Sequence, residues 1–289
     1  MAATAFATQY RNEFVMGFAQ RQSLLRMTCT TEAVTKGNSA VFAVSANTDT
    51  ASTRGVNGLI PYGQNSLTQV TATLVETHGS RKVTGFNIFA SQGNQASLLQ
   101  TECMAIINRD IDSKILTEMA TGTLETGTAT TASMTLILKA WVHLLNGGVP
   151  NDGQIFAAVS PAFLGYAMRM PEFSSAKYVT VQPYVSPPAP SANTAAMSAM
   201  GTGWYEWMNI KWIVHPNISG IGTSTERCFM YHRSAIGHAV NTNEMDVRVG
   251  YDDEQDYSWS RATVYHGAKI LQDTGIVEMT HDGSAFVAS

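Results

Sequence analysis

Side chains that could perform chemistry are spread along this chain of 289 residues rather than gathered into a known motif. Four histidines, at positions 215, 232, 238 and 266, follow none of the ligand spacings by which zinc sites are recognised. The densest charge is the run Asp252-Asp253-Glu254 with Asp256, which lacks the alternating spacing and the glycine of a calcium loop. The sequence therefore predicts no metal site, and we interpret the acidic run as a solvated loop.

The motifs of nucleotide-binding and hydrolytic enzymes are also missing from the sequence. It contains no GxxxxGK[ST] loop, no GxGxxG after a strand and no GxSxG turn. A Ser–His–Asp triad would leave no such signature, because its members meet only in three dimensions. The sequence predicts no catalytic residue and no cofactor, and we expect that the protein is not an enzyme.

The cysteines indicate a reducing environment. Cys29, Cys103 and Cys228 are odd in number and widely spaced, which does not match a disulfide framework. The triplet Asn217-Ile218-Ser219 fits a glycosylation acceptor, but such triplets arise by chance and a reducing compartment disfavours this use. The first residues do not form a signal peptide, and no run of about 18 apolar residues predicts a membrane span.

The composition indicates a surface that is poor in charge. Charged residues make up 14% of the chain, against the roughly 25% that is usual in soluble domains. Charge keeps free monomers apart, so this composition favours a subunit that buries much of its surface against copies of itself. A neutral, Thr-rich secreted β protein would have a similar composition. The net charge of −4 does not indicate the excess of basic residues that nucleic-acid-binding domains usually have.

A long hairpin is predicted near the N-terminus. Residues 39–45 and 69–77 alternate and are rich in β-formers, and residues 81–86 suggest the start of a return strand. Such a two-stranded ribbon buries too little surface to be stable alone, so it needs a partner or its own domain to rest on. Before it, Phe14, Phe18, Leu24 and Leu25 could line a short helix, either as an arm across a partner or as a satellite helix.

The clearest predicted element is a helix over residues 95–119. Apolar residues recur there every four positions, and neither Gly nor Pro interrupts it. A second helix is predicted over 133–145, a buried strand over 154–160, a helix from Pro161 and a loop over 185–203. Core strands are predicted at 204–215 and 227–231. From Cys228 to Asp282 the pattern predicts a strand, a helix-like turn, an acidic aromatic loop and two final strands.

This order of elements resembles the major capsid proteins of tailed bacteriophages, in particular podovirus-like coat proteins. The resemblance is most specific in the segment NEFVMGFAQRQSLLR, in the long helix and in the segment from Cys228 to the end. It implies an α+β fold of the Hong Kong 97 type, with a long spine helix, a peripheral sheet, an axial domain, an N-terminal arm and an extended hairpin loop.

The resemblance also implies a division of the chain. The expected parts are an N-terminal arm with the first strand at 1–44, an extended hairpin loop at 45–85, a peripheral domain with the spine helix at 86–130, an axial domain at 131–240, and return strands at 241–289 that complete the peripheral domain beside the helix.

The implied function is structural. The chain would self-assemble into hexamers and pentamers of an icosahedral virion that encloses double-stranded DNA, without sequence-specific contact to it. Because no long helical leader precedes the arm, we expect a separate scaffolding protein, together with a portal protein and assembly in the bacterial cytoplasm. A cementing protein is left open, and no membrane is expected. The alternative is a soluble Thr-rich α+β binding or enzymatic domain.

Two local features bear on this interpretation. Some relatives join neighbours through a lysine–asparagine isopeptide bond, but no motif around Lys82 supports that chemistry. Residues 241–289 carry nine acidic and three basic residues, a local charge of −6. On the inner wall of a shell, this charge would keep DNA from adhering, and the sequence does not show which wall it faces.

Overall fold

A computed structural model describes residues 20–46, 51–58, 60, 62, 66–85, 95–174, 205–241 and 246–286. The helices are α1 (Gln95–Met119), α2 (Met134–Asn146), α3 (Pro161–Met168) and α4 (Pro171–Ser174). The strands are β1 (Thr30–Val34), β2 (Ser39–Ala46), β3 (Ser66–Thr73), β4 (Val75–Thr84), β5 (Ile155–Val159), β6 (Tyr205–Trp207), β7 (Ile210–Val214), β8 (Glu226–His232), β9 (Ile236–Asn241), β10 (Asp246–Asp252), β11 (Tyr257–Ile270) and β12 (Ile276–His281). This mixture is the α+β class that the sequence predicts.

Helix α1 has the predicted bounds and is the longest helix among the described residues. Its apolar stripe, including Ile107, Ile111 and Ile115, is buried because the four-residue spacing keeps these side chains on one face. This face rests on β4 and β11. At Gly79 of β4 the helix comes so close that an added Cβ would lie 2.7 Å from the carbonyl oxygen of Cys103. Glycine therefore sets the spacing between helix and sheet.

The first sheet is organised around β11, which is 14 residues long. One edge of β11 pairs with β10. Farther along this edge, from His266 onward, β11 pairs with β9, which is followed by the parallel strand β1, and the opposite edge of β11 pairs with β4. A strand of this length can hold two successive partners along one edge, and in this way β11 joins the N-terminal and C-terminal parts of the chain.

The second sheet has the strand order β12-β8-β5-β7-β6. The central strand β5 is buried at all five positions, as predicted for a strand covered on both faces. Helix α2 contacts β8 and β12. Ser133 caps α2 by accepting a hydrogen bond from the Leu136 N–H, and Ser160 caps α3 at the Phe163 N–H. Aromatic packing of Phe163 against Trp212 completes this part of the core.

The predicted hairpin is present as the antiparallel pair of β2 and β3. Its base is buried because Ala40, Phe42 and Ala72 pack with Ala239 of β9. Farther along β3, the residues from Ser66 to Gln69 are exposed on both faces. The hairpin is thus fixed at its base and leaves the body of the subunit toward its tip.

Three strand predictions were wrong in their bounds. The predicted strand 69–77 is divided at Leu74, where β3 ends and β4 begins in another sheet. Residues 81–84 continue β4 rather than returning. The predicted strand 204–215 is a hairpin of β6 and β7, turned at Met208 and Asn209 with positive φ. Alternation identifies extended chain, but it does not show where the pairing partner changes.

The predicted placement of the two final strands was correct for β11 and wrong for β12. Strand β12 pairs with β8 in the second sheet instead of completing the sheet beside α1. Strands β1, β9 and β10 were not predicted. Leu24 and Leu25 precede a three-residue 3-10 turn and are not part of a helix. Phe14, Phe18 and residues 185–203 lie outside the described residues.

A buried carboxylate on α1 holds the chain that enters the fold from the N-terminus. Asp112 is fully buried and accepts hydrogen bonds from the backbone N–H of Leu24 at 2.8 Å and of Leu25 at 3.1 Å. The hydroxyl of Ser23 and the side-chain amide of Gln20 also donate to it. A buried carboxylate is tolerated only when it is hydrogen-bonded in this way.

The same carboxylate contacts the second sheet through His215, which directly follows β7. The Nε2 of this buried histidine lies 3.1 Å from Asp112 Oδ2. Its Nδ1 accepts a hydrogen bond from the Asn217 N–H at 3.1 Å, so the ring proton is assigned to Nε2 and donated to Asp112. Asp112 therefore connects the entering chain, the long helix and the second sheet.

Replacing Asp112 is expected to destabilise the whole subunit. In Asp112→Asn, an amide group with one acceptor oxygen replaces a charged group that accepts from several donors. Because a hydrogen bond to a charged group contributes about 1.5–3 kcal/mol, we expect the free energy of unfolding to fall by about 3 kcal/mol in chemical denaturation of the full chain. The control Asp253→Asn, on an exposed turn, should change it by less than about 0.5 kcal/mol. Equal effects of the two variants would contradict this role for Asp112.

Gly267 of β11 is expected to tolerate no side chain, because an added Cβ would lie 2.1 Å from the carbonyl oxygen of Thr73, where the hairpin meets the sheet. The variant Gly267→Ala must displace the hairpin base and should cost about 1–3 kcal/mol, seen as a lower melting temperature. In the control Gly165→Ala, the added Cβ would meet only the Phe286 ring at 3.5 Å or more. A melting temperature for Gly267→Ala that matches the control would show that the base is not fixed there.

Candidate interaction surfaces

The four histidines singled out in the sequence lie in three separate places, because His238 and His266 are neighbours while His215 and His232 each have their own partners. His238 and His266 form a buried pair whose ring centroids are 5.6 Å apart. His266 Nε2 lies 3.0 Å from Asp110 Oδ2 and 3.3 Å from Lys114 Nζ. The His266 hydrogen bond, with the Lys114 charge, holds the pKa of Asp110 below its usual value. Burial lowers the pKa of His238 to about 3, so this ring is neutral at physiological pH.

His232 has a further set of partners. Its Nδ1 lies 2.7 Å from the Ser234 hydroxyl, and its Nε2 lies 3.2 Å from a carboxylate oxygen of Asp152. Within the described ranges, no three His, Cys, Asp or Glu side chains converge as metal ligands. His215, His232 and His266 thus link strands and turns through hydrogen bonds, whereas His238 is a buried neutral ring packed beside His266.

A second buried carboxylate, Glu226, was not foreseen from the sequence. It accepts hydrogen bonds from the Ser160 hydroxyl and from the Gly222 N–H, and His281 Nε2 lies 3.8 Å from it. Ser160, Glu226 and His281 are chemically capable groups, but none of the three side chains is accessible to solvent. Glu226 and Asp112 lie within ordinary strand and helix patterns, and no local motif would reveal them.

The three cysteines are free and fully buried. Burial raises the pKa of the Cys29 and Cys228 thiols to about 12. A thiol with such a pKa remains protonated near neutral pH and is a poor nucleophile. These residues therefore act as packing groups.

The acidic run forms the turn between β10 and β11. Asp252 accepts hydrogen bonds from the Glu254 N–H at 3.0 Å and the Gln255 N–H at 3.1 Å, and the Tyr251 hydroxyl donates to Asp256. The turn is thus ordered by its own side chains, while Asp253 is exposed at its tip.

The remaining residues named from the sequence lie at the surface. Lys82 is exposed on β4, with its ammonium group 5.0 Å from the centre of the Tyr257 ring. Asn217 is exposed, and its side-chain amide donates to Gln20 Oε1 at 3.0 Å. Among the helices that the structure describes, none has the length and apolar character needed to cross a membrane.

The most distinctive surface is the outer face of the β2–β3 hairpin. The strand register places Val41 opposite Thr71 and Leu67 opposite Ser45, so these side chains share one face of the ribbon. Val41 is 54% exposed and Leu67 is 64% exposed. Near the tip, Val56 and Tyr62 are also largely exposed. These exposed apolar side chains make the ribbon a candidate interaction surface.

The comparisons with known proteins agree with this architecture. A family model described as "Phage capsid protein" matches residues 2–283. No curated protein matches the sequence significantly. A structure from Mycobacterium phage Che8 has 16% sequence identity and a TM-score of 0.70, covering 98% of this chain and 99% of that chain.

Two further structures show the same likeness. The capsid of Ralstonia phage GP4 has 12% identity and a TM-score of 0.68, covering 96% of this chain and 95% of that chain. The head structure of Helicobacter pylori bacteriophage KHP40 has 11% identity and a TM-score of 0.66, covering 97% of this chain and 95% of that chain. At these identities the likeness shows the fold, which is the predicted Hong Kong 97-type capsid fold. The chain belongs to the phage capsid protein family, and it is a structural subunit of the phage head.

Proposed function

We propose that this subunit forms hexamers and pentamers that close into an icosahedral shell around double-stranded DNA, and that the β2–β3 hairpin lies on a neighbouring subunit. The observation that carries this proposal is the exposed apolar face with Val41 and Leu67 on a ribbon whose base is buried against β9. The family membership disfavours the alternative of a soluble binding or enzymatic domain.

In this proposal, each part of the chain within the expected domain boundaries has its own structural role. Residues 86–130, with α1, and the return strand β11 form a peripheral body. Residues 131–240 form the axial domain, and the strands β5, β7 and β8 of this range make up most of the second sheet. Residues 1–44 supply the arm and the first strand, and residues 45–85 supply the hairpin loop, except that β4 pairs with β11 in the peripheral sheet. Strand β12 is the exception within 241–289, because it pairs with the axial strand β8.

The proposed assembly proceeds in the bacterial cytoplasm with a separate scaffolding protein and a portal protein, without enzymatic activity of this chain. The many repeated contacts of a shell support such a mechanism. Each buried Val or Leu side chain contributes about 1.5–3 kcal/mol at most, but every subunit makes the contact, so weak contacts add up over the particle. The packaged DNA is contained by the shell and is not read by sequence.

The hairpin contact is tested by the double variant Val41→Thr with Leu67→Thr. Both side chains are exposed in the isolated subunit, so the melting temperature should remain within about 2 °C of wild type, while each intersubunit contact should lose roughly 2 kcal/mol. We expect the fraction of protein in closed shells, measured by sedimentation and electron microscopy, to fall at least tenfold.

The matched control is Val142→Thr, which changes a 45% exposed valine on α2. This variant should assemble like wild type. Normal assembly of the double variant, or its failure to fold, would contradict the proposal, because the hairpin face would then be either dispensable or part of the subunit's own core.

A further inference from the structure

A cluster of cations and aromatic rings occupies the face of the first sheet that points away from α1. Gly79 points toward the helix, so alternation along β4 directs Lys82 to the opposite face. The register places Lys82 opposite Trp259 and Arg248 opposite Arg261, all on this face. We name the surface formed by Lys82, Arg248, Tyr257, Trp259 and Arg261 the basic groove.

The basic groove is shaped by its aromatic rings. The Lys82 ammonium lies 5.0 Å from the centre of the Tyr257 ring, and the Arg261 guanidinium lies 5.9 Å from that of Trp259. The Trp259 ring covers Gly250, where an added Cβ would lie 2.6 Å from it. A cavity of about 560 Å³, lined in part by Lys82, Tyr257, Trp259 and Arg261, opens on this face.

Two of the three cations of the basic groove, Lys82 and Arg261, have no ion pair among the described residues. Like charges directly opposite each other in a sheet are unfavourable, as for Arg248 and Arg261. Arg248 has an ion pair with Asp246 at 2.8 Å. In the parts of the chain that the structure describes, no carboxylate pairs with Lys82 or Arg261. Their cation–π contacts position the cations but leave most N–H donors free for an anionic partner.

The acidic turn at 252–256 has the complementary chemistry. It places four carboxylates in five residues, a density that no other segment of the sequence reaches. Asp252 and Asp256 are used within the turn, whereas Asp253 and Glu254 are exposed and accept no side-chain hydrogen bond in the described structure. The Tyr251–Asp256 hydrogen bond and the bond from the Gly85 N–H to the Asp256 carbonyl hold the turn at the end of its own hairpin.

We propose that the acidic turn of one subunit docks into the basic groove of a neighbouring subunit. The turn lies at the end of the β10–β11 hairpin, whereas the groove is formed by β4, β10 and β11 together, so the contact joins two different surfaces, is heterologous and can repeat around a closed ring. The aromatic rings shield the ion pairs from water and strengthen them relative to fully exposed pairs. This inference rests on the proposed assembly of the chain into a shell. It identifies the two surfaces that form one of the contacts between subunits.

Charge reversal tests the contact from both sides. The turn variant Asp253→Lys with Glu254→Lys, and the groove variant Lys82→Glu with Arg261→Glu, should each reduce the fraction of protein in shells at least tenfold at low ionic strength. The four changes combined restore opposite charges and should recover most of the assembly. The control Glu32→Lys, on the exposed β1 position, should assemble like wild type. Melting curves should show that each variant folds.

The outcomes separate the possible failures. Normal assembly of the single-sided variants, or no recovery in the combined variant, would overturn the docking of turn into groove. A third result would be that the groove variant forms particles that lose their DNA, while the turn variant behaves like wild type. This result would show that the groove binds nucleic acid, and it would also overturn the docking of turn into groove. If the wild-type chain forms no shells at all, the proposed function itself fails.

Discussion

The buried carboxylate of Asp112 is the interaction on which the remaining structure depends. It receives the backbone of Leu24 and Leu25, lies on the long helix and accepts a hydrogen bond from His215 at the end of β7. A charge is expensive to bury, so these donors must all remain in place for the fold to be stable. The start of the described chain, the helix and the second sheet are therefore held at one point.

Strand β11 packs on the long helix that carries Asp112, and in this way it joins the rest of the first sheet to the helix. Because β10 and β9 pair with one edge of β11 and β4 pairs with the opposite edge, the chain can leave the sheet between β3 and β4 without disturbing the other strands. Gly267 provides the close approach that this exit requires. The result is a stiff body of helix and sheet with a ribbon that projects from it, which suits a subunit whose contacts must span the boundary to the next copy.

Much of the fold could be predicted from the sequence, since strong periodicity is a local property. The 95–119 helix and the buried strand at 154–160 follow directly from their patterns. The partner of β12 could not be predicted, because alternation defines the faces of a strand but not the edge with which it pairs. Strands β1 and β9 are short, and β9 contains His238 and a glycine, so their pattern is weak.

The interaction surfaces were less predictable than the fold. The hairpin was foreseen because its strands alternate and a two-stranded ribbon buries too little surface to be stable alone, whereas the basic groove depends on the register of three strands. Cryo-electron microscopy of assembled particles tests the central claim most directly. The account predicts closed shells in which the β2–β3 hairpin of each subunit lies on an adjacent subunit. Stable monomers under all assembly conditions, or a hairpin that folds back onto its own subunit, would contradict it.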